Sequence, residues 1–179
     1  SMAKRPPRDG TLKTYVEELL RVNESVNLTG TRSFEKAWDL HVRDSLALLE
    51  LKLSKPLISI DLGSGNGFPG VAIAAQYPDC RVILVERTAK KANAIADIAK
   101  HAQLDNVEVF NCDGRELLSK APELARKAQL ICARAVAPLD KLIPICTPWL
   151  DPKGGKVFWK GNKLSKEESA AGRKAARKM

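Results

Sequence analysis

A glycine-rich run joins a strand-like apolar segment to an alanine-rich, helix-like one in this 179-residue chain. It reads Ile60-Asp61-Leu62-Gly63-Ser64-Gly65-Asn66-Gly67-Phe68-Pro69-Gly70 and leads into Val71-Ala72-Ile73-Ala74-Ala75. Strand, glycine turn and helix in that order bring bare backbone N–H groups and a helix N-terminus up to a nucleotide-like ligand. A second apolar run, Val82-Ile83-Leu84-Val85, ends on Glu86. A carboxylate at that strand end has acceptor sites enough for both hydroxyls of a ribose. The combination predicts a site for an adenosine-bearing cofactor.

The spacing of the glycines bears on which cofactor. A nicotinamide fingerprint reads Gly-x-Gly-x-x-Gly; Gly63, Gly65 and Gly70 do not have that spacing, and Gly63, Gly65 and Gly67 form a different pattern. Asp61 adds a carboxyl at the end of the first strand, suited to meet a ligand ammonium directly or through water. S-adenosylmethionine has such a group and a nicotinamide dinucleotide does not. Its sulfonium also suits an acidic, carbonyl-rich cleft. The residues favour S-adenosylmethionine over a dinucleotide, and over a glycine turn that binds nothing.

The elements that must position these residues alternate along the chain. Apolar residues at Leu12, Tyr15, Val16, Leu19, Leu20, Val22 and Val26 have helical spacing over 11–27. Ser33 is placed to cap a second helix running to about residue 49, with Phe34, Ala37, Trp38, Val42, Leu46 and Leu49 inward. Strands are expected over 57–61, 81–86, 106–110, 130–133 and 156–159, with helices over 69–76, 89–102, 115–120 and 138–149 between them. Repeated strand–helix–strand units build a parallel sheet covered on both faces, an α/β fold. The expected organisation is a disordered basic tail over 1–10, a helical extension over 11–50, an α/β core over 51–161 and a polar basic segment over 162–179.

Thirty basic against 21 acidic residues give a formal net charge of +9, which favours a polyanionic partner. The clusters Lys4-Arg5 with Arg8, and Arg173-Lys174 with Arg177-Lys178, suit a phosphate backbone and carry no sequence choice. Cys80, Cys112, Cys132 and Cys146 form no Cys-x-x-Cys pair and read as core thiols of a reducing compartment rather than a metal site. No apolar run approaches membrane-spanning length and no hydrophobic signal core opens the chain, so the cytoplasm is expected.

The glycine run resembles that of the bacterial RsmG (GidB) methyltransferases. The likeness continues in Asn27-Leu28-Thr29 with Arg32, His41-Val42-Arg43-Asp44-Ser45-Leu46, Glu86-Arg87-Thr88-Ala89-Lys90-Lys91, Cys132-Ala133-Arg134-Ala135-Val136-Ala137, Gly154-Gly155 and Lys160-Gly161. These motifs fall in order across about residues 12–161. The resemblance implies a class I S-adenosylmethionine-dependent methyltransferase, Rossmann-like, that methylates guanine N7 in 16S ribosomal RNA. It implies naked RNA or the small-subunit particle as partner; a monomer is our own expectation, and the residues read above give no membrane span and no metal site. By the resemblance Gly63 and Phe68 would line the cofactor loop, Gly114 and Arg115 would lie near the adenine, and Arg134 would contact the cofactor; Asp61 and Gly65 join the cofactor candidates from the loop pattern itself, and Arg134 is also placed to meet a substrate phosphate. Glu86 is assigned to the ribose from its strand-end position. Asn27, Arg32, His41 and Lys160 are candidates for the RNA side; for His41 a structural hydrogen-bonded role is equally open.

Two departures stand out. Cys112-Asp113-Gly114-Arg115-Glu116 replaces a family pattern in which the residue after the glycine is usually an acid, so Asp113 is a second candidate for the adenine contact. The family's sheet continues past strand five with a helix and an antiparallel hairpin, and this chain predicts those C-terminal strands missing, with an exposed sheet edge. Guanine N7 has a free lone pair and no proton to lose, so no general base is assigned. A methyltransferase with another substrate and a non-catalytic RNA-binding relative are the alternatives.

Overall fold

The computed structural model describes residues 8–51, 54–134 and 138–160. Five strands, β1 (Ile58–Leu62), β2 (Arg81–Val85), β3 (Val107–Phe110), β4 (Leu130–Arg134) and β5 (Lys156–Lys160), form one sheet in the order β3-β2-β1-β4-β5. Every pairing is parallel. The chain builds β1, β2 and β3 outward in one direction and then crosses back to lay β4 and β5 on the other side of β1. The carboxyl ends of β1 and β4 therefore flank the topological switch point, where open α/β sheets hold their ligands.

The near-continuous apolar character of the central strands follows from cover on both faces. Along β2, Val82 and Leu84 enter one core and Ile83 and Val85 the other, the period of two that a pleated strand imposes. The first core receives α1 (Arg8–Asn23), α4 (Gly70–Gln76) and α5 (Ala89–His101), through Leu12, Leu19, Val71, Ile73, Ile95 and Ile98. The second lies under α6 (Leu117–Lys120) and α7 (Leu139–Cys146), with Leu117, Leu124 and Trp149 at its centre. The N-terminal helix thus shares the core of the sheet. All four cysteines are buried free thiols, and burial pushes Cys80 and Cys146 up to about 12.

Several expected boundaries move. Helix α1 begins at Arg8, three residues before the expected start, with Asp9 in its first turn and Arg8 donating to Gln76 Oε1 at 2.7 Å. Residues 8–10 of the expected disordered tail are therefore helical; 1–7 and the expected segment 162–179 lie outside the described residues. The helix stops at Asn23, four residues early. The Asn23 side chain accepts from the backbone N–H of Leu28 and Thr29, at 2.8 and 2.9 Å, and donates to Thr29 O at 3.0 Å. It thereby offers the chain a turn in place of another helical turn. Ser33 caps the next helix as expected, accepting from Lys36 N–H. That helix is not uniform: α2 (Phe34–Ala37) passes through a π-helical turn, Trp38–Arg43, into α3 (Asp44–Leu49). The expected helix over 138–149 ends at Cys146 and tightens into a 3-10 turn over Thr147–Trp149. Pro144 and Pro148 each lack the N–H that a regular helix needs.

Asn106, just ahead of β3, ties three segments together. Its amide donates to Ala74 O and Tyr77 O at 3.1 Å and to Cys80 O at 2.9 Å, joining the end of α4 to the entry of β2. Asn106→Ala is expected to cost about 2 kcal/mol, because it removes three hydrogen bonds that tie the end of α4 to the entry of β2. Urea unfolding would show this as a lower midpoint at unchanged slope.

Candidate functional site

The loop after β1 is built by glycine and held by acids. Gly63, Gly65 and Gly67 have φ of 68°, 58° and 95°, the left-handed region that disfavours any side chain. Ser64 N–H donates back to Val85 O and Gly67 N–H to Ser64 O, both at 2.9 Å, so the loop folds tightly over the ends of β1 and β2. At its far end Gly70 N–H donates to Asp61 Oδ2 at 3.0 Å. A β-carbon on Gly70 would strike the Leu84 side chain and the Asp61 carboxyl, so glycine here lets α4 lie close on the sheet.

Asp61 lies in β1, beneath the helix that follows the loop. Its side chain faces the core under α4 and the residue is fully buried, at 0% exposure. The carboxylate holds the far end of the loop from within, through Gly70 N–H. The sequence pattern located the acid correctly, but only the packing of α4 decides which way it is enclosed.

Glu86 lies at the end of β2, where it was expected. Its Oε2 accepts from Gly65 N–H at 3.0 Å and its Oε1 from Thr88 N–H at 3.2 Å. Each carboxylate oxygen offers a second lone pair, so these bonds leave acceptor capacity for a diol. The three bare glycine positions and this carboxylate match the polar demands of an adenosyl ligand. Asn111 steadies the strand end, donating to Glu86 O at 2.9 Å and Arg87 O at 3.0 Å.

After β3, Asp113 and Arg115 take each other as partners. Asp113 Oδ1 accepts from Arg115 N–H at 2.9 Å and from its Nε at 3.0 Å. The Arg115 hydrogen bonds hold the Asp113 carboxyl below its ordinary range. Gly114 lies beside Leu62 and Ile145, bridging the β1 end and α7. Arg134 and Lys160 are register partners at the carboxyl ends of β4 and β5; their side chains, with residues 135–137 and Gly161 of the expected motifs, lie outside the described parts. Asn27 and Arg32 are exposed in the turn between α1 and α2. They stand beyond the end of the first helix, which Asn23 terminates early.

The outer half of the loop is packed by residues from the N-terminal helices. The His41 ring stacks on Phe68, centroids 5.7 Å apart at 18°, and lies 2.9 Å from Thr29 Oγ1. Tyr15 meets the same Phe68 edge-on and donates to Asn66 O at 2.8 Å. Asn66 in turn accepts from Phe68 N–H at 3.0 Å. Tyr15 read only as a core position of an amphipathic helix, and Asn66 as a spacer between glycines. Neither has a local signal for this contact, because the partners are 51 residues apart.

Burial lowers the His41 pKa from its ordinary 6.5, opposed by the charge of Asp44. A histidine held neutral in the folded state binds fewer protons than when unfolded. Its contribution to stability is therefore intact above about pH 6.5 and is lost as the pH falls below that value. Thermal melts from pH 8 to pH 5 should show a smaller acid loss in His41→Gln than in the unchanged protein.

A parallel sheet with its switch point at β1/β4, carrying this glycine loop and strand-end acid, defines a class I S-adenosylmethionine-dependent methyltransferase. In fold it is similar to precorrin-6y C5,15-methyltransferase from Geobacter metallireducens GS-15, with a TM-score of 0.58 at 16% identity, covering 84% of this chain and 71% of that one. Within the class, the chain belongs to the GidB family, rRNA small subunit methyltransferase G, which it matches over residues 8–178. It is 38% identical over 162 residues to ribosomal RNA small subunit methyltransferase G of Sorangium cellulosum, spanning 89% of this chain and 67% of that protein. It is 37% identical over 150 residues to the protein of the same name from Erythrobacter litoralis, spanning 80% and 70%. The aligned part thus amounts to about two thirds of these relatives' length. Among the described residues no helix is long and apolar enough to cross a membrane.

Proposed function

We propose that this chain transfers a methyl group from S-adenosylmethionine to guanine N7 in 16S ribosomal RNA. The observation that carries the reading is the family match over residues 8–178, which runs through the glycine loop, Glu86 and the ends of β4 and β5. The net charge of +9 supports a polyanionic partner, naked RNA or the small-subunit particle, with binding that weakens as salt rises. A cytoplasmic monomer is the form in which we expect it to act.

The roles follow from position. Gly63, Gly65 and Phe68 form the loop that lies against the adenosyl ligand, and Glu86 takes the ribose hydroxyls. The segment Asp113-Gly114-Arg115 flanks the adenine, with Asp61 as the internal brace. Arg134 and Lys160, level with one another on adjacent strands, supply cations at the carboxyl edge for cofactor and RNA phosphate. Asn27 and Arg32 are exposed to meet RNA, and His41 braces the wall between them and the loop. When bound, S-adenosylmethionine supplies a methyl group made electrophilic by the adjacent sulfonium. The nucleophile needs no proton removed, so the protein's share is alignment and exclusion of water.

The test is incubation of the chain with S-adenosylmethionine and small-subunit RNA, naked or in particles, lacking the modification. Nucleosides released by digestion are then analysed by mass spectrometry. Appearance of 7-methylguanosine supports the reading. Cofactor binding without transfer to either RNA form favours the two alternatives, another substrate or a non-catalytic RNA-binding relative. The mutual pairing of Asp113 and Arg115 in place of a free acid is the observation that keeps the second of these alive.

A further inference from the structure

We infer that Tyr15 is a positioning residue for the cofactor loop: its hydroxyl, delivered by α1, sets where the backbone of residues 66–68 lies and thereby how tightly the adenosyl ligand is held. This rests on the S-adenosylmethionine reading above. Tyr15 is fully buried, yet its hydroxyl reaches the loop and donates to the Asn66 carbonyl at 2.8 Å. Its ring edge meets Phe68 with centroids 5.4 Å apart at 88°. A β-carbon on Gly67 would collide with that hydroxyl. Gly67 is thus required twice, once for its φ of 95° and once because α1 occupies the space beside it.

The outer half of the loop is tied together, since Asn66 Oδ1 holds Phe68 N–H at 3.0 Å. His41 closes its other side, stacked on Phe68 and bonded to Thr29, which Asn23 anchors to the end of α1. Gly65 N–H, adjacent in the chain, is the donor that orients Glu86. A shift at Asn66 therefore reaches the carboxylate assigned to the ribose. Burial and the nearby Asp61 charge push the Tyr15 phenol well above its ordinary pKa, so it remains a donor at any working pH.

Tyr15→Phe keeps the ring and its edge contact and removes only the hydroxyl. Calorimetric titration with S-adenosylmethionine should show affinity about fivefold weaker. The KM for RNA should not change, and the amides of Gly67 and Phe68 should exchange faster with solvent in the ligand-free protein. Leu19→Ala, one turn along the same helix and also buried, should lower the melting temperature without changing cofactor affinity. Gly67→Ala should weaken binding less in the Tyr15→Phe background than alone, because the colliding oxygen is gone. Equal affinity of Tyr15→Phe and the unchanged protein, with additive effects in the double variant, would overturn the inference; so would a Tyr15→Phe chain that fails to fold. If the unchanged protein binds no S-adenosylmethionine, the cofactor reading falls, and unaltered exchange at Gly67 and Phe68 would separately refute the hold on the loop.

Discussion

Glu86→Ala is expected to weaken S-adenosylmethionine binding about 100-fold. The carboxylate does two things at once. It anchors the loop through Gly65 N–H at 3.0 Å and the start of the next segment through Thr88 N–H at 3.2 Å. In the proposed site its remaining lone pairs take the ribose hydroxyls. A hydrogen bond to a charged group is worth about 1.5–3 kcal/mol. Losing the loop anchor together with a ligand contact therefore amounts to about 3 kcal/mol, or two decades in the dissociation constant. Glu86→Gln keeps one acceptor oxygen and should lose about tenfold. Calorimetry on both variants, with melting curves to confirm folding, gives the comparison. Affinity for the alanine variant within about threefold of the unchanged protein, a difference of under 1 kcal/mol, would remove Glu86 from the site.

Asp61→Ala should destabilise the fold itself, by about 3 kcal/mol. The residue is fully buried and its carboxylate receives Gly70 N–H at 3.0 Å, where α4 starts. Alanine leaves that donor without a partner away from water and opens a void beneath the helix. For a chain of this size the change corresponds to a melting temperature lower by roughly 6–12 °C. Asp61→Asn retains an acceptor and should lose about half as much. Gly70→Ala attacks the same contact from the other side, by overpacking against Leu84 and Asp61, at about 1–3 kcal/mol. The two sites touch, so the double variant should depart from additivity. An Asp61→Ala protein that melts within about 2 °C of the unchanged one, a loss of under 1 kcal/mol, would show that the carboxylate is not a brace.

By itself the sequence determined whatever depends on local pattern. Alternating apolar runs and turns specify a parallel α/β sheet, and all five strands lie within a residue or so of where they were expected. Closely spaced glycines specify positive φ, and three of them adopt it. An acid closing a strand specifies a carboxylate at that strand's carboxyl end, and Glu86 is there, bonded to the loop. The serine at position 33 is a cap for the same kind of reason. Tertiary structure alone decided which distant groups meet. Asp61 is turned under α4 and bonded to Gly70, because helix and strand close on that face. Asn23 ends α1 early because its side chain finds Thr29 across a turn that periodicity does not encode. Tyr15, indistinguishable in sequence from its core neighbours, reaches Asn66 only when α1 packs against α4. Spacing along a chain specifies backbone conformation and the face a residue occupies, whereas a hydrogen bond between residues 15 and 66 exists only once the packing of whole helices has brought them together.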